Sequence, residues 1–300
     1  MSDPVTSDPA FRRIAIIGLG LIGGSIAAGV KKHGLATHIV AWDKNEHNLN
    51  LGYDLGLIDE KATDIGAAAR DADLVILAVP VQSMGEVLSA IDLKDQILTD
   101  VGSVKAPVIQ AAVDVFGWLP ARFVPGHPIA GSEKHGVVSA NPDLFRSYRV
   151  ILTPEESTDS EALLLVEKLW SELGANVSSM SAAHHDNVLA QTSHLPHLLA
   201  YALVDTLSGG GDSMEVFQYA AGGFRDFSRI AASDPTMWRD VLAANKSPVL
   251  EVLDRYLEDL GALRSMIESG RFDELKSVFE RAKAARDHFA TIQPGGKTDA

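Results

Sequence analysis

Short apolar runs alternate with longer amphipathic stretches from Arg12 to about residue 180. Runs such as RIAIIGLG, DLVILAVP and QILTDVGS predict buried strands, because they are largely apolar and end in Gly, Pro or Ser. The segments between them, including IGGSIAAGVKKHG and VKAPVIQAAVDVF, have the spacing of helices, and the first helix should end at Gly34. Apolar strands that alternate with helices predict an α/β fold with a doubly wound, mostly parallel sheet.

The strand pattern stops near residue 181, and the remaining sequence predicts helices. DNVLAQTSHLPHLLAYALVDTL is long and apolar, and Pro196 is expected to kink it. Farther along, apolar residues recur at alternating steps of four and three, which makes a narrow seam typical of coiled coils and bundles. This spacing leaves open whether the seam packs within one chain or forms a dimer interface. The seam consists of Val249, Leu253, Tyr256, Leu260, Leu263 and Ile267.

The first predicted strand runs into GLGLIGGS, which holds three glycines in the spacing G-x-G-x-x-G. Because the motif follows a strand and opens a helix, it predicts a Rossmann-type turn that binds the pyrophosphate of a dinucleotide. Gly18 would permit the tight turn, Gly20 the approach of the pyrophosphate, and Gly23 the close packing of helix on strand. Leu21 and Ile22 are expected to contact the cofactor from the same loop. A glycine turn without a nucleotide is the less favoured alternative.

Asp43 ends the second predicted strand and indicates which dinucleotide binds. A carboxylate at this position accepts hydrogen bonds from the ribose hydroxyls of NAD and repels the 2′-phosphate of NADP. Lys44 beside it softens that repulsion. The expected cofactor is therefore NAD, with NADP less favoured.

Two further loops follow the carboxyl ends of later strands, where ligands bind in sheets of this kind. Val79 and Pro80 in the first loop and Gly102 in the second are expected to line the nicotinamide half of the cofactor. Ser103 would then lie close to the chemistry. It could also cap the helix that begins VKAPVIQ.

The run ARFVPGHP predicts a further strand, and Gly and Pro in PGHPIAGSEKHG predict a loop where it ends. His127 falls at this strand end, at the same rim of the sheet. An imidazole beside a nicotinamide suits a base that takes a hydroxyl proton while hydride leaves the same carbon. A loop histidine is more often an ordinary polar residue, but the glycine motif favours catalysis here.

The remaining histidines in the second half do not predict a metal site. His194 and His197 share a helix face, but no carboxylate at a metal-binding spacing accompanies them. His184 and His185 are adjacent in sequence and are expected at the surface.

Composition excludes several classes of protein. With 26 basic and 40 acidic residues the net charge is -14, which disfavours binding to nucleic acid. The absence of cysteine excludes disulfides, thiol nucleophiles and zinc–thiolate sites. No secretory signal and no apolar run of roughly 18–20 residues is present, so we expect a cytoplasmic protein that does not bind membranes.

Five motifs together extend this interpretation: GLGLIGGS, DVGSVK, GHPIAGSEKHG, QTSHLPH and FRDFSRIAASDPTMW. In order and spacing they resemble the prephenate/arogenate (cyclohexadienyl) dehydrogenases of tyrosine biosynthesis. The resemblance extends from Arg12 to the terminal helices. It implies an enzyme, an NAD-dependent oxidoreductase, that dimerises through its helical domain, and this favours the interface interpretation of the seam.

The resemblance also assigns roles to individual residues in the catalytic centre. His127 corresponds to the base that takes the proton from the ring hydroxyl of the substrate. Ser103 corresponds to the serine that hydrogen-bonds this histidine and the hydroxyl, and Glu133 to an active-site acid.

The expected substrate pocket draws on the helical half. Ser193 and His197 match pocket residues of the SHLPH helix, and Trp238 matches a pocket tryptophan. Arg229 matches the arginine that binds a substrate carboxylate, with Arg225 and Arg239 as nearby alternatives and a surface salt bridge as the non-functional alternative. The full expected set for the substrate is Ser193, His197, Arg229, Trp238 and, in a loop that reaches the site of a neighbouring subunit, Gly222.

These expectations define a domain plan and a reaction. Residues 1–10 form a flexible leader, 11–180 the dinucleotide-binding domain, 181–293 an all-helical substrate and dimerisation domain, and 294–300 a tail. The reaction is oxidative decarboxylation of prephenate to 4-hydroxyphenylpyruvate, of arogenate to tyrosine, or of both, without a metal. Tyrosine is a candidate feedback inhibitor, with His197 as its expected contact.

Two other functions are the alternatives to this one. A β-hydroxyacid dehydrogenase would use a lysine on the first helix of the helical domain, and DNVLAQTSHLPHLLAYAL contains none. A non-catalytic NAD sensor would bind the cofactor without needing His127, Ser103 and Arg229 in one site.

Overall fold

A computed structural model describes residues 9–131, 136–209 and 217–292. Its main sheet has six strands, all parallel: β1 Phe11–Ile17, β2 Ala36–Trp42, β3 Glu60–Lys61, β4 Leu74–Leu77, β5 Ile97–Asp100 and β6 Phe123–Val124. They lie in the order β3-β2-β1-β4-β5-β6. The chain runs outward in both directions from β1, so a crevice opens between the carboxyl ends of β1 and β4. The predicted Rossmann-type fold is confirmed.

Helices cover both faces of this sheet: α1 Leu21–His33, α2 Glu46–Asp54, α3 Ile65–Ala69, α4 Met84–Ser89, α5 Ala106–Phe116 and α6 Ser160–Glu172. Alternate residues of β1 enter two separate apolar clusters. Ile14 and Ile16 pack with α1 and α6, whereas Ala15 and Ile17 pack with α3, α4 and α5. Because both faces of the sheet are covered, the central parts of its strands must be apolar, as Ile14–Ile17 of β1 and Leu74–Leu77 of β4 are. Helix α1 ends at Gly34 as predicted, in the left-handed conformation at φ +63°.

A second sheet of three strands carries His127: β7 Gly126–Pro128, β8 Arg149–Leu152 and β9 Asn176–Ser179. Strand β7 is antiparallel to β8, and His127 faces Ile151 in the register. His127, predicted at the end of a strand, therefore lies within one, and this strand belongs to a second sheet instead of the main parallel sheet. The ladder bonds at the ends of β7 are donated by Thr153 to the Pro125 carbonyl and by Ile129 to the Arg149 carbonyl, so no proline has to donate.

The second half is helical, as predicted, and begins with a helix interrupted by one π turn: α7 Ala182–Leu189, the π segment Ala190–His194, and α8 Leu195–Ser208. Pro196, which has no N–H to donate, lies in the first turn of α8, directly after the π segment that interrupts the helix. The later helices are α9 Gly222–Ser228, α10 Pro235–Ala244, α11 Lys246–Glu268 and α12 Phe272–Ile292.

The chain divides into two compact units, Met1–Val249 and Leu250–Ala300. Val249, the first residue of the predicted seam, is buried in the first unit. In the second unit the later seam residues Leu260 and Ile267 are 41% and 56% exposed, so this unit presents apolar surface. The domain boundary near residue 180 stays a prediction. In the described parts of the chain, every helix is too short or too polar to cross a membrane.

Candidate active site

The glycine turn after β1 has the geometry that its sequence predicts. Gly18 has φ +97°, and a Cβ there would lie 2.3 Å from the carbonyl oxygen of Ala78. A Cβ on Gly23 would lie 2.0 Å from the carbonyl oxygen of Gly18. At Gly20, which caps α1, an added Cβ would meet no described heavy atom within 4 Å. Two glycines are thus required by the protein itself, whereas Gly20 leaves open space at a helix N-terminus, as an approaching phosphate would need.

Asp43 stands beside this turn, at the end of β2. Its Oδ2 accepts a hydrogen bond from the backbone N–H of Leu19 at 2.6 Å, and its Oδ1 accepts one from Asn45 at 2.7 Å. The carboxylate therefore also stabilises the glycine turn. Each oxygen keeps further lone-pair capacity for ribose hydroxyls.

A cleft of about 580 Å³ extends along the carboxyl ends of the strands. Residues 20–22 of the glycine turn, the loops 78–81 and 101–103, His127 of β7 and residues at the start of α10 line this cleft. The structure thus brings together Gly20, Leu21, Ile22, Val79, Pro80, Gly102, Ser103 and His127. Their contact with a cofactor or substrate stays a prediction.

His127 is the start of a buried chain of side chains. Its Nδ1 lies 2.9 Å from Nε2 of His185, and Nδ1 of His185 lies 2.7 Å from Oδ1 of Asp186. Since Nδ1 of His127 is engaged in this way, Nε2 is the ring nitrogen left for a ligand in the cleft. Burial, reinforced by His185, Lys105 and His194, holds the pKa of His127 well below its usual value. The ring is therefore neutral near pH 7, as a general base must be.

The surface prediction was wrong for His185, which is fully buried, whereas His184 is exposed as expected. Helix α7 accounts for the difference, because it buries Ala182, His185, Asp186 and Leu189 on one face. A 3.6-residue periodicity applied to SAAHHDNVL could have identified His185.

Asp186, which the sequence interpretation also missed, fixes the start of α5. Its Oδ1 accepts from the backbone N–H of Lys105 at 2.8 Å and its Oδ2 from that of Ala106 at 2.9 Å. The alternative role of Ser103 as a helix cap was therefore wrong, because Lys105 occupies the N-cap position and the capping carboxylate comes from α7. Ser103 instead lines the cleft.

Lys105 and Asp100 form a buried ion pair beneath the cleft, with neither side chain exposed. Nζ of Lys105 also donates to the Gly126 carbonyl at 2.7 Å, next to His127. Asp100 accepts from the backbone N–H of Gly102 at 2.7 Å and from that of Gly126 at 3.1 Å. The pair thus ties the predicted nicotinamide loop to the strand that carries His127.

The predicted substrate residues of the helical half form a second group. The rings of His197 and Trp238 stack at 3.6 Å, and Nδ1 of His197 lies 2.8 Å from the carbonyl oxygen of Ser193. Burial is the main cause that lowers the pKa of His197, and the positive charge of Arg229 also lowers it. The hydrogen bond with the Ser193 carbonyl raises the pKa, but by less than burial lowers it. His197 is therefore in contact with Ser193 and Trp238 and lies within reach of the charge of Arg229.

His194 joins this group to the buried chain. Its ring meets Trp238 edge-on at 6.0 Å, and its Nδ1 lies 3.0 Å from Nδ2 of Asn245, which donates to the Asp186 carbonyl at 2.8 Å. Burial is the largest cause that lowers the pKa of His194 to about 4.

The other predicted residues are less enclosed or lie outside the described ranges. Arg229 is exposed at the start of a short 3₁₀ helix, and Gly222 is exposed at the start of α9. Arg239, one of the alternatives, pairs with Asp240 at 2.6 Å. Glu133 lies outside the described residues.

Two family models match the chain. The nucleotide-binding domain of prephenate dehydrogenase matches residues 26–179, and the dimerization domain of prephenate dehydrogenase matches residues 181–281. Together they span most of the chain.

Individual relatives agree with these matches. A cyclohexadienyl dehydrogenase of Zymomonas mobilis is 42% identical over 92% of this chain and 95% of its own length. A prephenate dehydrogenase of Bacillus subtilis is 38% identical over 94% of this chain and 77% of its own. The crystal structure of prephenate dehydrogenase from A. aeolicus, in complex with hydroxyphenyl propionate and NAD+, superposes with a TM-score of 0.85 at 37% identity, covering 93% of this chain and 98% of that one.

Proposed function

The chain belongs to the prephenate dehydrogenase family, and we propose that it catalyses the NAD-dependent oxidative decarboxylation of prephenate, arogenate or both. One observation carries the proposal: a neutral His127 faces the cleft that the glycine turn also lines. A base and a dinucleotide cradle on one cleft are what removal of a proton and a hydride from the same carbon requires.

The residues fit a bound NAD. The open space at Gly20 allows a pyrophosphate to approach the N-terminus of α1. Asp43 lies at the position where a carboxylate binds the ribose hydroxyls of a dinucleotide. Val79, Pro80 and Gly102 line the same cleft toward His127 and would hold the nicotinamide end. When bound, NAD supplies the hydride acceptor. The carboxylate at Asp43 favours NAD over NADP.

In the reaction, Nε2 of His127 takes the proton of the ring hydroxyl while hydride leaves the same carbon. The ketone that forms is conjugated to the carbon bearing the ring carboxylate, so CO2 leaves and the ring becomes aromatic. Ser103, on the same cleft wall, is placed to hydrogen-bond the hydroxyl. Aromatisation makes the step effectively irreversible.

A dianionic substrate needs a local cation in a protein of net charge -14. Arg229 offers a planar guanidinium for a bidentate contact with a carboxylate. Its charge acts on His197, and the stacked rings of His197 and Trp238 would form the wall of the substrate pocket. Feedback by tyrosine would act at the same pocket, with His197 as the contact.

We also infer that the protein works as a homodimer. The matched dimerization domain and the exposed apolar residues of the second unit support this assembly. Size-exclusion chromatography with light scattering should give twice the mass of the 32.0 kDa chain. A monomer at assay concentrations would refute it. A cytoplasmic location is part of the same proposal.

Absorbance of NADH tests the function. Purified protein with NAD and prephenate, or with NAD and arogenate, should produce NADH, and parallel reactions with NADP should be slower. Turnover of both substrates would define a cyclohexadienyl dehydrogenase. No turnover in any reaction, with NAD binding intact, would favour the sensor or a dehydrogenase for another hydroxy acid.

A further inference from the structure

We propose that His185 and Asp186 are positioning residues that fix the tautomer of His127, so that its Nε2 carries the lone pair which accepts the substrate proton. The inference rests on the proposed function, because it concerns the base of that reaction. His185 and Asp186 are buried, and neither takes part in the proposed reaction itself.

The hydrogen-bond geometry determines the order of protons along the chain of side chains. Oxygen Oδ1 of Asp186 can only accept, so the Nδ1 of His185 at 2.7 Å must carry a hydrogen. In a neutral His185 the Nε2 is then an acceptor, and the Nδ1 of His127 at 2.9 Å must be the donor. A neutral His127 with hydrogen on Nδ1 has its lone pair on Nε2.

Burial, with Lys105 and the neighbouring rings, holds the pKa of His127 well below its usual value, and the fully buried His185 stands between that ring and Asp186. Asp186 already accepts the backbone N–H groups of Lys105 and Ala106, which spread its negative charge over α5. The charged groups that surround His127 are Asp100 and Lys105 from β5 and α5 and Asp186 from α7, with His185 and His194 as the other titratable rings.

Asp186 also has little freedom to move. Its two oxygens are fixed by α5, and its own carbonyl accepts from the buried Asn245. A residue held at both carboxylate oxygens and at its main-chain carbonyl can orient His185, and His185 can orient His127. When His127 accepts the substrate proton, the carboxylate stabilises the resulting imidazolium through His185.

The direct test reads the tautomer in the wild-type protein. With ¹⁵N-labelled histidine, NMR at pH 7 should show Nδ1 of His127 protonated and Nε2 unprotonated, the signal being assigned by its loss in His127→Asn. Detection of the opposite tautomer, or of a doubly protonated His185, would overturn the proposal. Neither outcome depends on which substrate the enzyme turns over.

A variant pair provides the kinetic test. His185→Leu removes the acceptor for Nδ1 of His127, so kcat should fall by roughly 10²- to 10⁴-fold while KM changes little, as expected for a wrong tautomer of a general base. His184→Gln, one residue away and exposed, should keep the wild-type kcat. If His185→Leu folds, binds NAD and retains kcat within about threefold, the positioning role is excluded. If it does not fold, the NMR measurement on the wild type decides.

Discussion

The Nδ1 atom of His127 and the Nε2 atom of His185 lie 2.9 Å apart, although the two residues belong to a strand of the small sheet and to the first helix of the helical half. Their contact joins the cofactor-binding part of the chain to the predicted substrate-binding part. The candidate active site therefore depends on two sequence regions that are 58 residues apart.

Two glycines of the turn should affect different properties: Gly23 should affect stability, and Gly20 should affect the binding of NAD. Gly23→Ala places a methyl group 2.0 Å from the Gly18 carbonyl, so the free energy of unfolding should fall by about 1–3 kcal/mol. Gly20→Ala meets open space, so its stability should stay within about 0.5 kcal/mol of wild type while its affinity for NAD falls. Thermal denaturation without ligand and calorimetric titration with NAD measure the two effects. Wild-type NAD affinity in Gly20→Ala would contradict a pyrophosphate at this turn.

Asp43 should set the choice between NAD and NADP. Asp43→Asn removes the negative charge but keeps an oxygen acceptor for the N–H of Leu19. The kcat/KM for NAD divided by that for NADP should therefore fall. Lys44→Ala, at the next position, should raise this ratio, because it removes a positive charge that softens the repulsion of NADP. Steady-state assays with both cofactors test the pair. An unchanged ratio in Asp43→Asn would mean that another group reads the ribose.

Arg229 should act on substrate binding. Arg229→Ala removes the guanidinium whose charge acts on His197, so KM for prephenate or arogenate should rise by at least about tenfold, the low end for loss of a charge-assisted hydrogen bond. The matched variants are Arg225→Ala and Arg239→Ala. If one of these raises KM and Arg229→Ala does not, the carboxylate site belongs to that arginine instead.

Stability should fall as the solution becomes acidic. His194 has a pKa of about 4 in the folded protein and about 6.5 in the unfolded chain. Between these two values the ring is protonated in the unfolded chain but not in the folded protein, so acidification lowers the free energy of unfolding. The stability associated with the neutral ring is fully present above pH 6.5 and is lost progressively down to pH 4. The loss for this group is on the order of 3 kcal/mol.

Denaturant unfolding between pH 7 and pH 4 measures this loss. His194→Asn should flatten the pH dependence, whereas the exposed His184→Gln should leave it as in the wild type. The same slope in His194→Asn and wild type would show that other groups cause the acid sensitivity.

Much of the fold is encoded locally and could be predicted. The apolar strands, the glycine turn and the end of α1 at Gly34 each follow from a short stretch of sequence. The positions lining the cleft could be predicted as well, because carboxyl ends of parallel strands share one edge.

The supporting residues of the site could not be predicted, because their roles arise from contacts between distant segments. Asp186 caps a helix that begins 80 residues earlier, and the lysine of DVGSVK is buried by pairing with Asp100. Neither relationship leaves a local pattern. A strand ending at His127 could be predicted, but its place in a second sheet could not, because that place depends on antiparallel pairing with the later strand β8.

The turnover of His127→Asn shows whether His127 is the base of the reaction. The variant should bind NAD and substrate like the wild type, with kcat at least ~10²-fold lower, since it lacks only the group that accepts the hydroxyl proton. His184→Gln serves as the control for replacement of a nearby histidine. Near-normal turnover of NAD with prephenate or arogenate by His127→Asn would show that another group takes the proton.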